Sequence, residues 1–245
     1  MPEAESEDRL LGGRVRLTQP KAGYRAAIDP VLLAAAVEAE PGESVLDLGI
    51  GAGAAALCLA ARVPGLRIVG LEVQSELARL ARLNAALNGI DDLTVFDGSL
   101  RDPPPALAGQ RFDHVIANPP YLEAERASEG PSPGKRAATV EGASLEEWLA
   151  FALALAAPKA SLTVIHRADR LADLLAGLER GAGAIAVMPL WPKAGRPAKR
   201  VIVSARRGSR AALRLLPGIV LHQADGRFTA AAEAILRDAH PLSLA

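Results

Sequence analysis

The feature that most constrains the fold of this chain is an alternation of short apolar strands with helices. The predicted strands span 44–48, 67–71, 93–96, 112–117, 161–165, 185–188 and 200–205. The predicted helices span 29–40, 54–62, 74–88, 144–157, 168–178 and 229–237. Because strands that alternate with helices pair in parallel through right-handed crossovers, the sequence predicts an α/β fold with a doubly wound, mostly parallel sheet.

Length and composition narrow the class of protein further. The chain has 245 residues, 50% of them hydrophobic, which suits one α/β unit with a large core. The single cysteine, Cys58, excludes intrachain disulfides and multi-cysteine zinc sites, and no metal is expected. No apolar run approaches the ~20 residues of a membrane helix, and the acidic start lacks a secretory signal. We therefore expect a soluble, cytoplasmic protein.

A glycine-rich loop follows the first strand of the alternating region. Asp47 lies near the end of that strand, and Gly49, Gly51 and Gly53 lead into the next helix. Glycines at alternate positions allow tight turns and let a ligand approach the backbone closely. Taken alone, the loop fits a simple strand-to-helix turn, and residues 49–54 also nearly fit a dinucleotide fingerprint.

Two acids at the ends of the next strands favour an adenosine site. Glu72 ends the second strand, about 20 residues after the glycines, where a carboxylate can accept hydrogen bonds from both ribose hydroxyls. Asp97 ends the third strand, where it can accept a hydrogen bond from an adenine amino group. Asp47 ahead of the glycines and an acid after the third strand favour S-adenosylmethionine over a nicotinamide dinucleotide.

The tetrapeptide Asn118-Pro119-Pro120-Tyr121 follows the fourth strand and indicates the chemistry. Two prolines stiffen the chain and donate no amide hydrogen. The Asn118 side-chain oxygen and the Pro119 carbonyl can therefore accept hydrogen bonds from an aromatic amino group or an amide, directing its nitrogen lone pair toward a methyl donor. Tyr121 can stack on an unstacked base. The alternative interpretation is a rigid loop in which Tyr121 covers the core.

Residues 44–121 resemble class I S-adenosylmethionine-dependent methyltransferases with the amino-methylating NPPY motif. The segment QPKAGYRAAIDPVLLAAAV, residues 19–37, is similar to bacterial valine tRNA adenine-37 N6-methyltransferases, as are the VIHRADRL segment and residues 225–229. The resemblance implies a seven-stranded sheet in the order 3-2-1-4-5-7-6 with strand 7 antiparallel. It also implies an N-terminal arm and helix over residues 1–40 and a methyltransferase domain over 41–245, together forming one structural unit.

The resemblance further implies roles for individual residues. Asp47 and the three loop glycines would hold the methionine end of S-adenosylmethionine, Glu72 the ribose, and Asp97 with Gly98 the adenine. Tyr24 and Arg25 would close over the cofactor or the substrate. Asn118, Pro119, Pro120 and Tyr121 would form the catalytic motif, with Asn118 also touching the cofactor.

The motifs leave the substrate open. The leading hypothesis is methylation of an adenine amino group in RNA, most favourably tRNA. Glutamine methylation of a protein such as a peptide release factor needs the same pair of acceptors, and an RNA-binding module without turnover is a third reading. The oligomeric state is not indicated by the sequence.

The net charge of zero conceals a basic region suited to an RNA partner. Residues 180–224 contain nine Lys or Arg and no Asp or Glu, so the rest of the chain is acidic. We expect Arg206 and Arg207 in this region, and Lys135 and Arg136 in the loop after NPPY, to contact RNA phosphates. Scattered arginines on a solvated edge are the alternative.

Overall fold

A computed structural model describes residues 5–22, 25–120 and 143–244 of the protein. Its strands are β1 (Glu5–Leu10), β2 (Val15–Pro20), β3 (Ser44–Leu48), β4 (Arg67–Glu72), β5 (Leu93–Asp97), β6 (Phe112–Ala117), β7 (Ala156–Arg167), β8 (Ala182–Lys193), β9 (Arg200–Arg207), β10 (Arg214–Leu215) and β11 (Ile219–His222). Its helices are α1 (Asp29–Ala35), α2 (Ala54–Arg62), α3 (Ser75–Leu87), α4 (Leu145–Leu155), α5 (Leu171–Leu178) and α6 (Ala230–Leu236).

Nine of the strands form one mixed sheet, which confirms the predicted α/β class. The order along the sheet is β10-β8-β9-β7-β6-β3-β4-β5, and β11 also pairs with β8. The predicted count of seven strands is wrong, because the two short strands β10 and β11 extend the edge next to β8. The predicted order therefore forms only part of a larger sheet. Strand β9, which corresponds to predicted strand 7, runs antiparallel to both β7 and β8, as the resemblance implied.

The register of the central strands brings their carboxyl ends to one edge of the sheet, which we call the carboxyl edge. Leu48 of β3 pairs with Leu71 of β4 and with Ala117 of β6. Leu71 in turn pairs with Phe96 of β5. The residues that follow these four positions therefore share one edge, where ligands of open α/β sheets bind.

Helices cover both faces of the sheet with aliphatic side chains. One core cluster joins α1, α2, α3 and α6 to one face, and the other joins α4 and α5 to the opposite face. Trp148 of α4 lies in the second cluster and is 5% exposed. Cys58 in α2 is fully buried, and burial raises its thiol pKa to about 12, so it packs as a small apolar group. Of the helices in the described ranges, none has the length and hydropathy needed to cross a bilayer.

Residues 5–20, within the predicted N-terminal arm, form a β-hairpin. Strands β1 and β2 pair antiparallel from Glu5 with Pro20 to Leu10 with Val15. The hairpin is fixed to α3 through Asn84, whose amide accepts from the Thr18 backbone nitrogen and donates to the Thr18 carbonyl, both at 2.8 Å. This buried side chain also donates to the Ala52 carbonyl at 2.9 Å. Through this side chain, helix α3 offers the β2 backbone a donor and an acceptor, as the backbone of a neighbouring strand would.

His114 has a structural role, as its apolar sequence context indicated. Its ring nitrogens lie 2.6 Å from the Ser161 hydroxyl and 2.8 Å from a Glu43 carboxylate oxygen. Within the described part of the chain, no group of three or more His, Cys, Asp or Glu side chains is arranged to hold a metal ion.

Candidate active site

The glycine loop is a tight turn at the carboxyl edge, held against β4. The backbone nitrogens of Gly49 and Ile50 both donate to the Leu71 carbonyl, at 2.8 and 3.1 Å. Gly49, Gly51 and Gly53 have φ angles of 67°, 58° and 95°, in the left-handed region that favours glycine. A Cβ on Gly49 would lie 2.6 Å from Trp148, whereas a Cβ on Gly51 would point into open space. The loop therefore presents bare backbone to a neighbouring ligand.

Glu72 stabilises this loop from the end of β4. One of its carboxylate oxygens accepts from the Gly51 backbone nitrogen and the other from that of Gln74, each at 2.9 Å. The residue is 5% exposed. A buried carboxylate that accepts two backbone hydrogen bonds is held in a fixed orientation. Glu72 has a structural role in the loop, and its contact with a ribose stays a prediction.

Asp47 is a buried acid beneath the glycine loop. It is 3% exposed, and its Oδ2 atom has no hydrogen-bond partner among the described residues. Burial, reinforced by the negative charge of Glu72, raises the Asp47 pKa to about 8. A buried carboxylate is costly unless a cation or a donor pairs with it. Asp47 is therefore poised to receive a positively charged group.

One pocket joins Asp47, the glycine loop and Asn118. Its lining consists of Gln19, Pro20, Ala26, Pro30, Asp47, Gly49, Ile50, Gly51, Ala52, Ala54, Ala55, Leu77 and Asn118. Asn118 reaches this pocket because β6 lies directly beside β3, with Ala117 opposite Leu48. Pro119 is buried and Pro120 is half-buried at the same edge. The structure thus brings together the glycine loop and the first residue of the NPPY motif.

Gln19 and Pro20 line one side of this pocket, a position that the sequence motifs did not predict. Gln19 is 2% exposed, and its Oε1 accepts from the Ala26 backbone nitrogen at 2.8 Å. Its Nε2 donates to an Asp8 carboxylate oxygen at 2.7 Å. These residues belong to the QPKAGYR segment used for the resemblance, but only tertiary packing shows that they face the loop.

Arg25 stabilises the N-terminal segment rather than lying in the pocket lining. Its guanidinium contacts an Asp8 carboxylate oxygen at 2.5 Å and donates to the Ser6 hydroxyl and the Pro20 carbonyl, at 2.8 and 3.0 Å. This arrangement ties Pro20 to the start of the chain. Its predicted role in closing over the cofactor or substrate stays a prediction.

Asp97 and Gly98 lie at the carboxyl edge but do not line the pocket. The Asp97 carboxylate forms an ion pair with Arg82 at 2.7 Å, and its side chain is 49% exposed. Gly98 donates its backbone nitrogen to the Glu72 carbonyl at 2.9 Å, and a Cβ there would lie 2.6 Å from Pro104. Close packing thus accounts for the glycine, and the contact of Asp97 and Gly98 with the adenine stays a prediction.

The structure separates Arg206 and Arg207 from the active site. Arg206 pairs with Ser161 of β7, and Ser161 pairs with His114 near the start of β6. Both arginines therefore lie toward the edge opposite Asn118, because β9 runs antiparallel to its neighbours. Their predicted contact with RNA phosphates stays a prediction, on a surface away from the pocket. Four other predicted site residues lie outside the described ranges: Tyr24, Tyr121, Lys135 and Arg136.

The known proteins that this chain resembles are methyltransferases. Residues 26–130 match the family described as Methyltransferase small domain. The chain is 33% identical over 172 residues to a tRNA1(Val) (adenine(37)-N6)-methyltransferase of Porphyromonas gingivalis, a match that covers 66% of each protein. It thus spans just under two thirds of that relative.

Two further relatives extend the comparison. A release factor glutamine methyltransferase of Geobacter sulfurreducens is 42% identical, over 32% of this chain and 26% of that protein. The crystal structure of a predicted O-methyltransferase from Agrobacterium tumefaciens covers 88% of this chain and 98% of its own, with 26% identity and a TM-score of 0.73. From its fold, its glycine-loop pocket and these matches, the chain has the class I methyltransferase fold and is similar to S-adenosylmethionine-dependent methyltransferases.

Proposed function

We propose that this protein transfers a methyl group from S-adenosylmethionine to the N6 amino group of an adenine in RNA, with tRNA as the favoured substrate. The observation that carries the proposal is the shared pocket of Asn118 and the glycine loop. This juxtaposition places an acceptor for the N–H bonds of an amino group beside the proposed site of the methyl donor.

The pocket residues fit S-adenosylmethionine. The unpartnered Oδ2 of Asp47 suits the ammonium group of the methionine moiety, and the open space at Gly51 suits close approach of the ligand. Glu72, at the end of the neighbouring strand, is the residue we assign to the ribose. When bound, the cofactor supplies an electrophilic methyl group on its sulfonium. Asp97 with Gly98 stays our assignment for the adenine end.

The NPPY residues would orient the amino group that receives the methyl. The Asn118 side-chain oxygen and the Pro119 carbonyl would each accept one N–H hydrogen bond. These bonds weaken delocalisation of the nitrogen lone pair into the base and hold it toward the pocket. The two prolines keep the acceptors in place. The proton leaves the nitrogen after transfer, so no separate general base is required. Tyr121 is assigned to stacking on the base.

The extent of similarity favours tRNA over a protein substrate. The match to the adenine-N6-methyltransferase covers 66% of the chain, whereas the match to the release factor enzyme covers 32% of it. The shorter match is what a shared catalytic core alone would give. Glutamine methylation of a release factor nevertheless uses the same acceptors and is the second candidate. A binding module without turnover is disfavoured by the presence of Asn118 in the pocket.

Transfer of tritium from labelled S-adenosylmethionine tests the proposal. We expect label in tRNA with the parent protein, and a loss of about 100-fold or more with Asn118→Ala, because a transition-state hydrogen bond is removed. Gln110→Ala is the matched control, since it removes a side-chain amide that precedes β6, away from the carboxyl edge. Label in release factor alone would overturn the RNA proposal, and cofactor binding without any transfer would favour the binding module.

A further inference from the structure

The basic region of residues 180–224 is divided by the fold between two edges of the sheet. Strand β8 runs parallel to β7 because both are antiparallel to β9, so β8 ends at the carboxyl edge and β9 begins there. The last three residues of β8 and the connection to β9, residues 191–199, lie at the same edge as Asn118, and we call this segment the 191–199 loop. This segment contains Lys193, Arg196 and Lys199, all exposed. Arg206 and Arg210 lie toward the other edge.

Arg196 and Lys199 are uncompensated cations within the described structure. Neither has a carboxylate within 4 Å among the described residues, whereas four neighbouring arginines each form an ion pair. The surrounding ion pairs are Arg167 with Asp169, Arg170 with Asp173, Arg227 with Asp225 and Arg200 with Asp29. Lys193 donates to the Ala224 carbonyl at 3.0 Å. The 191–199 loop therefore adds net positive charge to this edge.

His166, near the end of β7, lies close to three of these arginines. It is 4% exposed, and burial is the main cause that lowers its pKa to about 4. The charges of Arg170, Arg167 and Arg200 lower the pKa further. His166 is therefore neutral at physiological pH and does not add to the charge of this edge.

A shallow pocket lies on the same loop. It is lined by Trp191, Ala194, Gly195, Arg196, Pro197 and Val220. The Trp191 indole nitrogen donates to the Pro217 carbonyl at 3.2 Å, which fixes the orientation of the ring. Aromatic residues are only 3% of the chain, so a half-buried tryptophan beside an exposed arginine is an unusual surface here. An indole ring with neighbouring cations is the combination that binds a nucleobase and its phosphates.

We propose that the 191–199 loop binds single-stranded nucleotides that flank the methylated adenine. Trp191 stacks against an unpaired base, and Arg196 and Lys199 contact phosphates. The loop extends β8, which is separated from β6 by β7 and β9, a lateral distance of about 14 Å from Asn118's strand at ordinary strand spacing. Nucleotides next to a base held at Asn118 reach across this distance. The inference rests on the proposed RNA methylation and adds the surface that positions the substrate.

The charge contribution is tested with Arg196→Ala/Lys199→Ala against the control Arg111→Ala/Arg210→Ala, which removes two exposed cations from the opposite edge. Binding of fluorescent tRNA is measured between 50 and 200 mM salt, and S-adenosylmethionine binding is measured alongside. We expect the loop variant to bind tRNA about tenfold more weakly at 0.1 M salt. Its slope of log affinity against log salt should fall by about 0.7–0.9 for each lost phosphate contact. Cofactor binding should not change.

Stacking is tested separately with Trp191→Phe and Trp191→Leu, which keep an apolar side chain in the pocket. We expect Phe to retain most of the tRNA affinity and Leu to lose about tenfold, as a lost base stack predicts. Equal tRNA affinity and salt slope in the loop and control double variants would overturn the inference while tRNA methylation persists. Failure of the parent protein to bind or label tRNA would instead overturn the proposed function.

Discussion

Replacing Asp47 by Asn should stabilise the protein while weakening cofactor binding. The Asp47 pKa is about 8 in the folded protein against 3.8 for a free aspartate. The folded state therefore holds a proton that the unfolded state releases between about pH 4 and pH 8, and stability falls as pH rises through that window. Asn keeps the shape of the side chain and cannot ionise, so it removes this cost.

The magnitude follows from the pKa difference. Each pH unit within the window costs about 1.4 kcal/mol, which gives about 4 kcal/mol at pH 7 for a fully rigid site. Local relaxation and water entry reduce the penalty for a buried charge, so we expect Asp47→Asn to gain about 2–4 kcal/mol in the free energy of unfolding at pH 7. The gain should be small at pH 5 and increase toward pH 8.

Urea denaturation of the cofactor-free protein at pH 5, 6, 7 and 8 measures this difference. Asp113→Asn is the matched control, because hydrogen bonds from the Ser44 hydroxyl and backbone hold the Asp113 pKa below its usual value. That variant should be destabilised at pH 7, with the loss disappearing in acid. In Asp47→Asn, S-adenosylmethionine should no longer raise the melting temperature appreciably. A destabilised Asp47→Asn protein, or a gain that does not change with pH, would refute the reasoning.

Two further predictions concern the same pocket. Gly49→Ala combines a strained φ of 67° with a Cβ 2.6 Å from Trp148, so it should lower the free energy of unfolding by about 2–4 kcal/mol in urea titrations. Gly51→Ala meets no neighbour and should cost only about 1–2 kcal/mol, so equal costs would contradict the packing argument. Glu72→Gln should weaken S-adenosylmethionine binding by about 1.5–3 kcal/mol in calorimetry, since charge-assisted hydrogen bonds are lost, and unchanged affinity would remove Glu72 from the ribose site.

The sequence predicted the parts of the fold that depend on local patterns. The strand from Ser44 to Leu48 and the helix that begins after Ser144 were predicted because apolar runs and helical spacing are local signals. The β1 strand was missed because its residues, ESEDRL, carry no apolar face. Its pairing depends on side chains of α3, far away along the chain. The strands β10 and β11 were too short to give a periodic signal.

The candidate site was predictable to the same extent. The motifs placed Asp47 and Asn118 together because each follows or ends a strand, and parallel strands align these ends. They could not reveal Gln19, whose position depends on the packing of the N-terminal hairpin. The charge pattern of the sequence identified the basic region but could not show which edge of the sheet each of its residues occupies. The antiparallel course of β9 decides that Arg196 faces the carboxyl edge and Arg206 the opposite one.

The three hydrogen bonds of the Asn84 side chain couple local unfolding of the N-terminal hairpin to that of the glycine loop. Through Thr18 and Ala52, this one side chain joins the hairpin that carries Gln19 to the turn that carries the glycines. The two walls therefore belong to one cooperative unit, and neither can swing away without breaking a buried amide network. Amide hydrogens of β2 should then become slower to exchange when ligand fills the glycine loop, so that the first strands of the chain report events at its centre.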